Sequence, residues 1–414
     1  MEYESMEYES MESLIVCRNL LQIPLLQAVN RYMQTNEEKE IPYIIHQLVQ
    51  YAETYGMGGN IWHQFLLRTL CDGENTAAVT IEQTGTYGAG LQIALTMDMK
   101  ILWPYLHSTA GALFDCAFLD AYMPSHLQQD TCLQALAQAI ESCQTPDEGA
   151  ETLLRHYVQY GRGKLARYMA FRINSQNKLV GIEEFPHLEW DDLISYQAQK
   201  EKLLQNTVNF VANRGANNVL LTGSRGTGKS TAVKSLVWQY HDQGLRLLQI
   251  ERGQLAVLPG IMEKLSLIKS KKFIIFLDDL SFDEDEKEYK YLKSAIDGGV
   301  TPQPDNVLIY ATSNRRHLLK ETWKDRNDEM DEVYRDDSTN ESISLSDRFG
   351  LIIHYAAPTQ DEYLAIIDHE LKKAGIVLDK KELRILGVRW EMEHSGRNGR
   401  IAQQFVKWYL GNKK

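Results

Sequence analysis

The stretch "NVLLTGSRGTGKSTAVKSLVWQYH", residues 218–241, constrains this chain more than any other. An apolar run ends in Gly223, four residues intervene, and Gly228, Lys229 and Ser230 follow, giving the spacing G-x-x-x-x-G-K-[ST]. A turn of this kind needs glycine because its backbone must fold tightly around an anion with no Cβ in the way. Its N–H groups point into a phosphate, and the helix that follows adds its positive N-terminal end. In this pattern Lys229 reaches the β- and γ-phosphates, and Ser230 sets a hydroxyl on Mg²⁺. The flanks agree, since "NVLLTG" reads as a buried strand and "KSTAVKSLVWQYH" as a helix.

From residue 219 onward strands and helices alternate. Candidate strands are 219–222, 246–250, 273–277, 307–311 and 351–355; candidate helices begin near 229, 259, 286 and 360. That alternation implies parallel strands joined by right-handed crossovers, with helices on both faces. The strand in "KKFIIFLDDLSF" ends in two carboxylates, Asp278 and Asp279. A carboxylate at that end of a strand sits beside the phosphate loop and can hold Mg²⁺, and a second can orient or deprotonate the attacking water. Taken alone, an Asp-Asp pair after a strand is equally a helix cap or a solvated turn. The strand in "NVLIYATSNRRHL" ends in Thr312, Ser313 and Asn314; a side-chain amide there can hold the water or a γ-phosphate oxygen, although Ser-Asn is also a common turn signal.

The rest of the chain is less explicit. Residues 14–175 carry helix-like apolar spacing over 14–35, 41–55, 61–72, 91–106, 112–122, 128–143 and 149–172, interrupted by breakers such as "YGMGGN" and "TGTYGAGL". The polar stretch 173–196, with Pro186, reads as a join. "DDLISYQAQKEKLLQNTVNFVANRG" then reads as one helix with an acidic first turn. A last piece, about 378–411, has two helix-like segments and no strand. The domains expected are therefore 1–185, mainly helical; 186–375, a five-stranded parallel α/β core; and 376–414, a small helical lid.

Among 414 residues, 43% are hydrophobic and 24% charged, as in ordinary globular proteins, and the length predicts roughly two or three domains. The net charge of −12 argues against wholesale electrostatic binding to nucleic acid. No apolar run approaches the roughly 20 residues that cross a bilayer, and no signal peptide is visible. The five cysteines, Cys17, Cys71, Cys116, Cys132 and Cys143, are an odd count without C-x-x-C spacing. That favours reduced, mostly buried thiols in the cytoplasm, and zinc is not expected. The basic stretch "RHYVQYGRGKLARYMAFR", 155–172, reads as an amphipathic surface helix ahead of a nucleic-acid contact. The acidic "KETWKDRNDEMDEVYRDDSTNES" reads as a mobile loop or a dock for a basic partner.

"GSRGTGKS", "FIIFLDDLSF", "YATSNRRHL", "SLSDRFGL" and "SGRNGRIAQQF" resemble, in order, the motifs of AAA+ ATPases, and together resemble the bacterial DUF815 family within them. The resemblance covers about residues 190–411. It implies nucleotide contacts from Gly223, Ser224, Arg225, Gly226, Thr227, Gly228, Lys229, Ser230 and Thr231, the Walker A loop. It implies Mg²⁺ at Ser230 and Asp278, and the catalytic carboxylate at Asp279, where many AAA+ proteins carry Glu. Asn314 matches sensor 1. Arg348 matches an arginine finger that acts on a neighbour's nucleotide in a homo-oligomer; its plainer reading is an ion pair with Asp347. Arg400, or Arg397, matches sensor 2, and the Asn-Gly between them is an awkward helix former. Leu193 and Ile194 fall where the adenine is often held. What the resemblance implies is a Mg²⁺-dependent ATPase that remodels, loads or moves an unidentified protein or nucleic-acid partner. A nucleotide-gated switch with little turnover is the alternative, kept open by Asp279, and a P-loop phosphotransferase fits less well.

Overall fold

The computed structural model describes residues 8–128, 130–282, 287–297, 303–315, 348–394 and 396–412. The chain divides into two units. The first comprises residues 1–168 with a short excursion, Leu267–Lys271; the second comprises Met169–Ser266 and Lys272–Lys414.

The described part of the first unit is helical: α1 (Pro24–Thr35), α2 (Ile41–Tyr55), α3 (Ile61–Asp72), α4 (Thr76–Thr84), α5 (Ala89–Leu106), α6 (Ala110–Phe114), α7 (Thr131–Glu141), α8 (Pro146–Tyr160) and α9 (Gly163–Arg167). Asn60, Asn75, Thr109, Asp130 and Thr145 each accept a backbone N–H at a helix start, the usual way to satisfy donors that have no partner within the helix. One apolar core, with Trp62, Phe65, Tyr105 and Tyr157 at its centre, joins the helices. The segment before α1 is not the helix that its apolar spacing predicts. It runs as two 3₁₀ turns, Met11–Ser13 and Arg18–Gln22. Between them the fully buried Asp98 carboxylate accepts the backbone N–H groups of Ile15, Val16 and Cys17 at 2.7, 2.8 and 2.6 Å.

The basic stretch 155–172 is likewise not one helix. It breaks after Tyr160, and its last residues enter a strand. Three of its arginines are paired: Arg162 with Glu82 at 3.0 Å, Arg167 with Asp72 at 2.6 Å, and Arg155 with Glu151. Of the excursion, Lys271 is buried and donates from Nζ to the carbonyl of Gln159 at 2.8 Å.

The second unit is a sheet flanked by helices. Its elements are β1 (Ala170–Ile173), β2 (Leu179–Gly181), α10 (Gln197–Val211), β3 (Val219–Gly223), α11 (Lys229–Tyr240), β4 (Leu245–Gln249), α12 (Leu258–Ser266), β5 (Lys272–Leu277), α13 (Lys287–Asp297), β6 (Val307–Ser313), β7 (Leu351–Tyr355), α14 (Gln360–Lys373), α15 (Lys380–Glu393) and α16 (Gly399–Asn412). The sheet runs β2-β1-β4-β5-β6-β3-β7. The five strands expected from sequence are present and parallel, but the sheet has seven strands and is mixed: β1 adds parallel to β4, and β2 pairs antiparallel with β1. Both extra strands lie in residues that read as a helix end and a polar join. They are too short to show a period, and their hairpin turn is made by Asn174, whose side chain accepts the N–H groups of Gln176 and Lys178.

Strands β3 to β6 read as near-continuous apolar runs because both faces are covered. Val219, Leu221, Leu247, Ile274 and Phe276 pack with Leu203 and Phe210 of α10 and Val233 and Leu236 of α11. The alternate residues Leu220, Leu248, Ile275 and Ile309, equally buried, face the other side. Helices α14 to α16 form a separate small core around Tyr363, Ile367 and Phe405. Among the described residues no helix is long and apolar enough to cross a membrane. The acidic stretch 320–342 lies outside the described residues.

Replacing Asp98 by Ala leaves three backbone donors buried without an acceptor. The loss is expected to be on the order of 3 kcal/mol, since hydrogen bonds to a charged group are worth about 1.5–3 kcal/mol each and water recovers part of it. Thermal unfolding of Asp98→Ala beside wild type checks this, the first unit melting earlier; an unchanged melt would show that the N-terminal segment is held by other contacts.

Candidate nucleotide site

In a parallel sheet of this kind ligands sit outside the carboxyl ends of the strands, and the polar groups gather there. At the end of β3 the chain turns through Gly223, at φ +127°. A Cβ on this residue would lie 1.9 Å from the carbonyl oxygen of Tyr355 on the neighbouring β7, so glycine alone fits. The loop then passes Gly226, at φ +73°, and enters α11 at Lys229.

Lys229 is buried and its Nζ donates to the carbonyls of Gly223 and Ser224 at 2.8 and 2.7 Å, and to Oδ1 of Asn314 at 3.3 Å. Burial pulls its pKa below the ordinary lysine value, and the charges of Asp279 and Asp278 offset part of that. Asn314 also donates from Nδ2 to Asp279, so one amide bridges the cation and the carboxylate. Ser230 Oγ donates to Asp278 Oδ1 at 2.6 Å, and Thr312 Oγ1 donates to the same oxygen at 2.7 Å. Thr312 Oγ1 in turn accepts the backbone N–H of Asp279 at 2.9 Å. Asp279 sits at φ +54°, a left-handed conformation that Asp tolerates better than most residues. The ends of β5 and β6 and the start of α11 are thereby joined through polar side chains, and the end of β3 through its carbonyls to Lys229.

These groups line a cavity of about 790 Å³, within the range of small-molecule sites. Arg225 to Thr231, Asp278, Asp279, Thr312 and Asn314 form one wall; Leu193, Ile194 and Tyr196 form another; Ile366, Glu370, Lys373, Gly399, Arg400 and Gln403 form a third. Gly223 and Ser224 contribute through their carbonyls to Lys229 rather than as lining residues.

The segment carrying Leu193 and Ile194 is not the first turn of a helix. Helix α10 starts only at Gln197, and Ser195 and Tyr196 have φ +72° and +61°. The reason is Lys200, whose buried ammonium donates to the carbonyls of Trp190 and Leu193 at 2.9 and 3.1 Å and draws the segment back over the helix. Asp192 then pairs with Lys373, and with His369 at 3.3 Å, both on α14. Partial burial opposes its ionisation, but the hydrogen bonds to Lys373 and His369 prevail and hold its pKa below the ordinary carboxylate value.

The arginines separate clearly. Arg397 precedes α16 and is paired with Glu391 at 2.6 Å. Asn398 accepts the N–H of Ile401 at 2.9 Å, so the Asn-Gly that looked awkward inside a helix is its beginning. Gly399 donates its N–H to the carbonyl of Gly226 at 2.8 Å, which seats α16 on the phosphate loop, and Arg400 lines the cavity. Arg348 lies outside the cavity lining and is paired with Asp297 of α13; Asp347 is outside the described residues. Lys200, Asp192, Lys373 of α14 and Gln403 of α16 were not among the residues expected from the sequence. Nothing in their local spacing announces contacts made across such separations.

A glycine-rich loop at the end of a strand, an acidic pair two strands away and a polar strand end between them make a P-loop-type α/β arrangement at the carboxyl ends of the strands. The chain belongs to the family described as "Protein of unknown function (DUF815)", whose model matches residues 166–413. No curated protein matches the sequence. Among solved structures it is similar to the Thermotoga maritima RuvB Holliday junction branch migration motor, with 19% identity over 54% of this chain and 64% of that one and a TM-score of 0.36. The chain thus spans just under two thirds of that relative's length. It is also similar to the FIGL-1 AAA domain in complex with ADP, with 17% identity over 54% of this chain and 74% of that one and a TM-score of 0.38. C. elegans PCH-2 shows 15% identity over 54% of this chain and 72% of that one, with a TM-score of 0.33. Likenesses this loose carry nothing further.

A Cβ at residue 226 would meet the Asn398 side chain at 2.7 Å on a backbone that already disfavours one. Gly226→Ala is therefore expected to part α16 from the loop and to weaken nucleotide binding about tenfold or more, equivalent to about 1.4 kcal/mol. A titration with a fluorescent ATP analogue reads this directly; wild-type affinity would mean that the loop binds without the helix.

Proposed function

We propose that this protein binds ATP with Mg²⁺ in the cavity at the strand ends, and hydrolyses it to remodel, load or move a partner. One observation carries the reading: Lys229, Ser230, Asp278, Asp279 and Asn314 belong, through Thr312, to one hydrogen-bonded set on a single cavity wall. The donor set fits Mg²⁺, a hard cation that takes oxygen ligands, because the Ser230 hydroxyl and the Asp278 carboxylate meet at 2.6 Å on that wall. When bound, the ion supplies charge neutralisation at the phosphates. Thr312 fixes the Asp278 carboxylate by its own hydrogen bond, which leaves the other carboxylate oxygen for the metal or its waters.

The roles of the remaining groups follow from charge. Lys229 exchanges its carbonyl partners for phosphate oxygens, which restores to a partly desolvated ammonium the counter-charge it lacks. Asp279 takes the proton of the attacking water, and Asn314 orients that water against it. Arg400 reaches the nucleotide from α16, and Leu193 and Ile194 face the base. Arg348, outside the cavity lining, acts on the nucleotide of a neighbouring copy in a homo-oligomer. The five described cysteines, all free, support a reducing cytoplasmic setting. The partner is a protein or a nucleic acid engaged outside this cavity.

A second reading has one observation in its favour. Asp279 is a methylene shorter than glutamate and is already engaged by Asn314, an arrangement that suits a switch which holds ATP and turns over little. Steady-state hydrolysis with Mg²⁺ separates the two. Lys229→Ala is expected to weaken ATP binding by about a hundredfold or more, from loss of a buried charged contact. Asp279→Asn is expected to keep binding and lower turnover by about 10²–10⁴. Tight binding by wild type without turnover, with or without the substitution, would select the switch.

The two arginines separate by protein concentration. Arg348→Ala is expected to lower turnover by about 10³ while leaving ATP binding to the single chain intact, and wild-type specific activity to rise with concentration as copies assemble. Arg400→Ala is expected to weaken binding or turnover at every concentration, and Arg397→Ala to do neither. Wild-type activity strictly proportional to protein across a wide dilution would remove the role of Arg348 in trans.

A further inference from the structure

The helical unit contains a group of side chains that the nucleotide chemistry does not use. Cys71 on α3, Cys132 in the first turn of α7 and His156 on α8 meet in its interior. The two sulfurs are 3.8 Å apart, and His156 Nε2 lies 3.4 Å from Cys71 Sγ and 3.5 Å from Cys132 Sγ. All three residues are at least nine-tenths buried, at 2%, 4% and 5% exposure. Two thiols and an imidazole nitrogen closing on one point is an expensive way to fill an apolar core, because each thiol is a weak donor and the ring nitrogen must still be satisfied.

The separations match those imposed by a metal ion. With zinc–sulfur distances of about 2.3 Å and zinc–nitrogen distances of about 2.0–2.1 Å, tetrahedral angles put the two sulfurs about 3.8 Å apart and each sulfur about 3.5 Å from the nitrogen. The triangle in this protein has nearly those edges, so an ion set just off its plane lies at bonding distance from all three atoms. A disulfide is not the same thing, since its sulfurs are only about 2.05 Å apart. We propose that Cys71, Cys132 and His156 bind one Zn²⁺ ion, with the fourth position taken by water or an exogenous ligand.

Charge selects the ion. Two thiolates and a neutral imidazole around a divalent cation give a net charge of zero, which an apolar interior tolerates; a monovalent cation would leave a buried negative charge. Among the described residues no fourth His, Cys, Asp or Glu joins the set, which is why one position falls to a ligand from outside the chain. The metal takes the thiolate forms of Cys71 and Cys132, so binding at neutral pH releases protons. The site joins three helices whose ligands lie 61 and 24 residues apart in sequence, and so acts on the stability of the helical unit. It is independent of the nucleotide reading.

The test uses the whole protein, freed of metal with a chelator and then given Zn²⁺ or Co²⁺. One tightly held zinc per chain is expected by elemental analysis after desalting, with a higher melting temperature that a chelator reverses. Co²⁺ is expected to give the intense near-ultraviolet band of a thiolate–cobalt bond together with visible bands of a tetrahedral ion. An oxygen-lined Mg²⁺ site cannot produce that near-ultraviolet band. Cys71→Ser and Cys132→Ser are each expected to weaken the band and lower retained metal at least tenfold, whereas Cys116→Ser and Cys143→Ser keep both. The wild-type cobalt spectrum does not depend on whether any variant folds. No retained zinc in wild type, a cobalt spectrum without the thiolate band, or a band that survives in the Cys71→Ser, Cys132→Ser double variant would each overturn the assignment.

Discussion

Buried on both faces, the central parallel strands have almost no place for a polar side chain along their length. Arg246 of β4, whose guanidinium turns to the carbonyls of His241 and Leu245, shows what one exception requires. Polar groups therefore collect where the strands stop, and Asp278 shows the result. Its carboxylate accepts two hydroxyls, Ser230 from the start of α11 and Thr312 from the end of β6, while the following backbone N–H returns to Thr312. Without that shared oxygen two strand ends and a helix start would each present an isolated polar group. With it they form one wall, and Lys229 and Asn314 complete the wall with a cation and an amide.

The other two walls of the cavity depend on longer connections. Lys200 bends residues 190–196 away from helical geometry, and Asp192 then ties that segment to α14. Gly226 and Gly399 tie α16 to the loop through a single backbone hydrogen bond. The cavity is thus shaped by electrostatic and backbone contacts at its edges, while apolar packing holds each wall from behind.

The parts of this architecture that were legible in sequence are those written in local spacing. The runs "VLLTG", "FIIFL" and "VLIYATS" announce buried strands by length and composition, and the loop at Gly223–Ser230 is fixed by its glycines. Strands β1 and β2 were illegible because four and three residues are too few to show a period, and a basic, aromatic run masked the first. The break ahead of α10 was hidden because its cause, Lys200, lies inside the helix it follows. Arg397 and Arg400 could not be told apart until Asn398 was seen to start the helix between them. Cys71, Cys132 and His156 share no spacing at all; only the packing of α3, α7 and α8 brings them together, and this is why an odd cysteine count without C-x-x-C pointed to reduced, buried thiols and away from zinc.

The contact between Gly399 and Gly226 has an optical consequence. A helix of 14 residues is about 21 Å long, so a small tilt at its base becomes a displacement of ångströms at its far end. Near that end Trp408 lies with its ring centroid 5.1 Å from that of Trp390 on α15 and is 46% exposed. The molecule therefore carries an indole pair on a helix whose base is hydrogen-bonded to the phosphate loop, so that a tilt of this helix against α15 would change the emission of that pair.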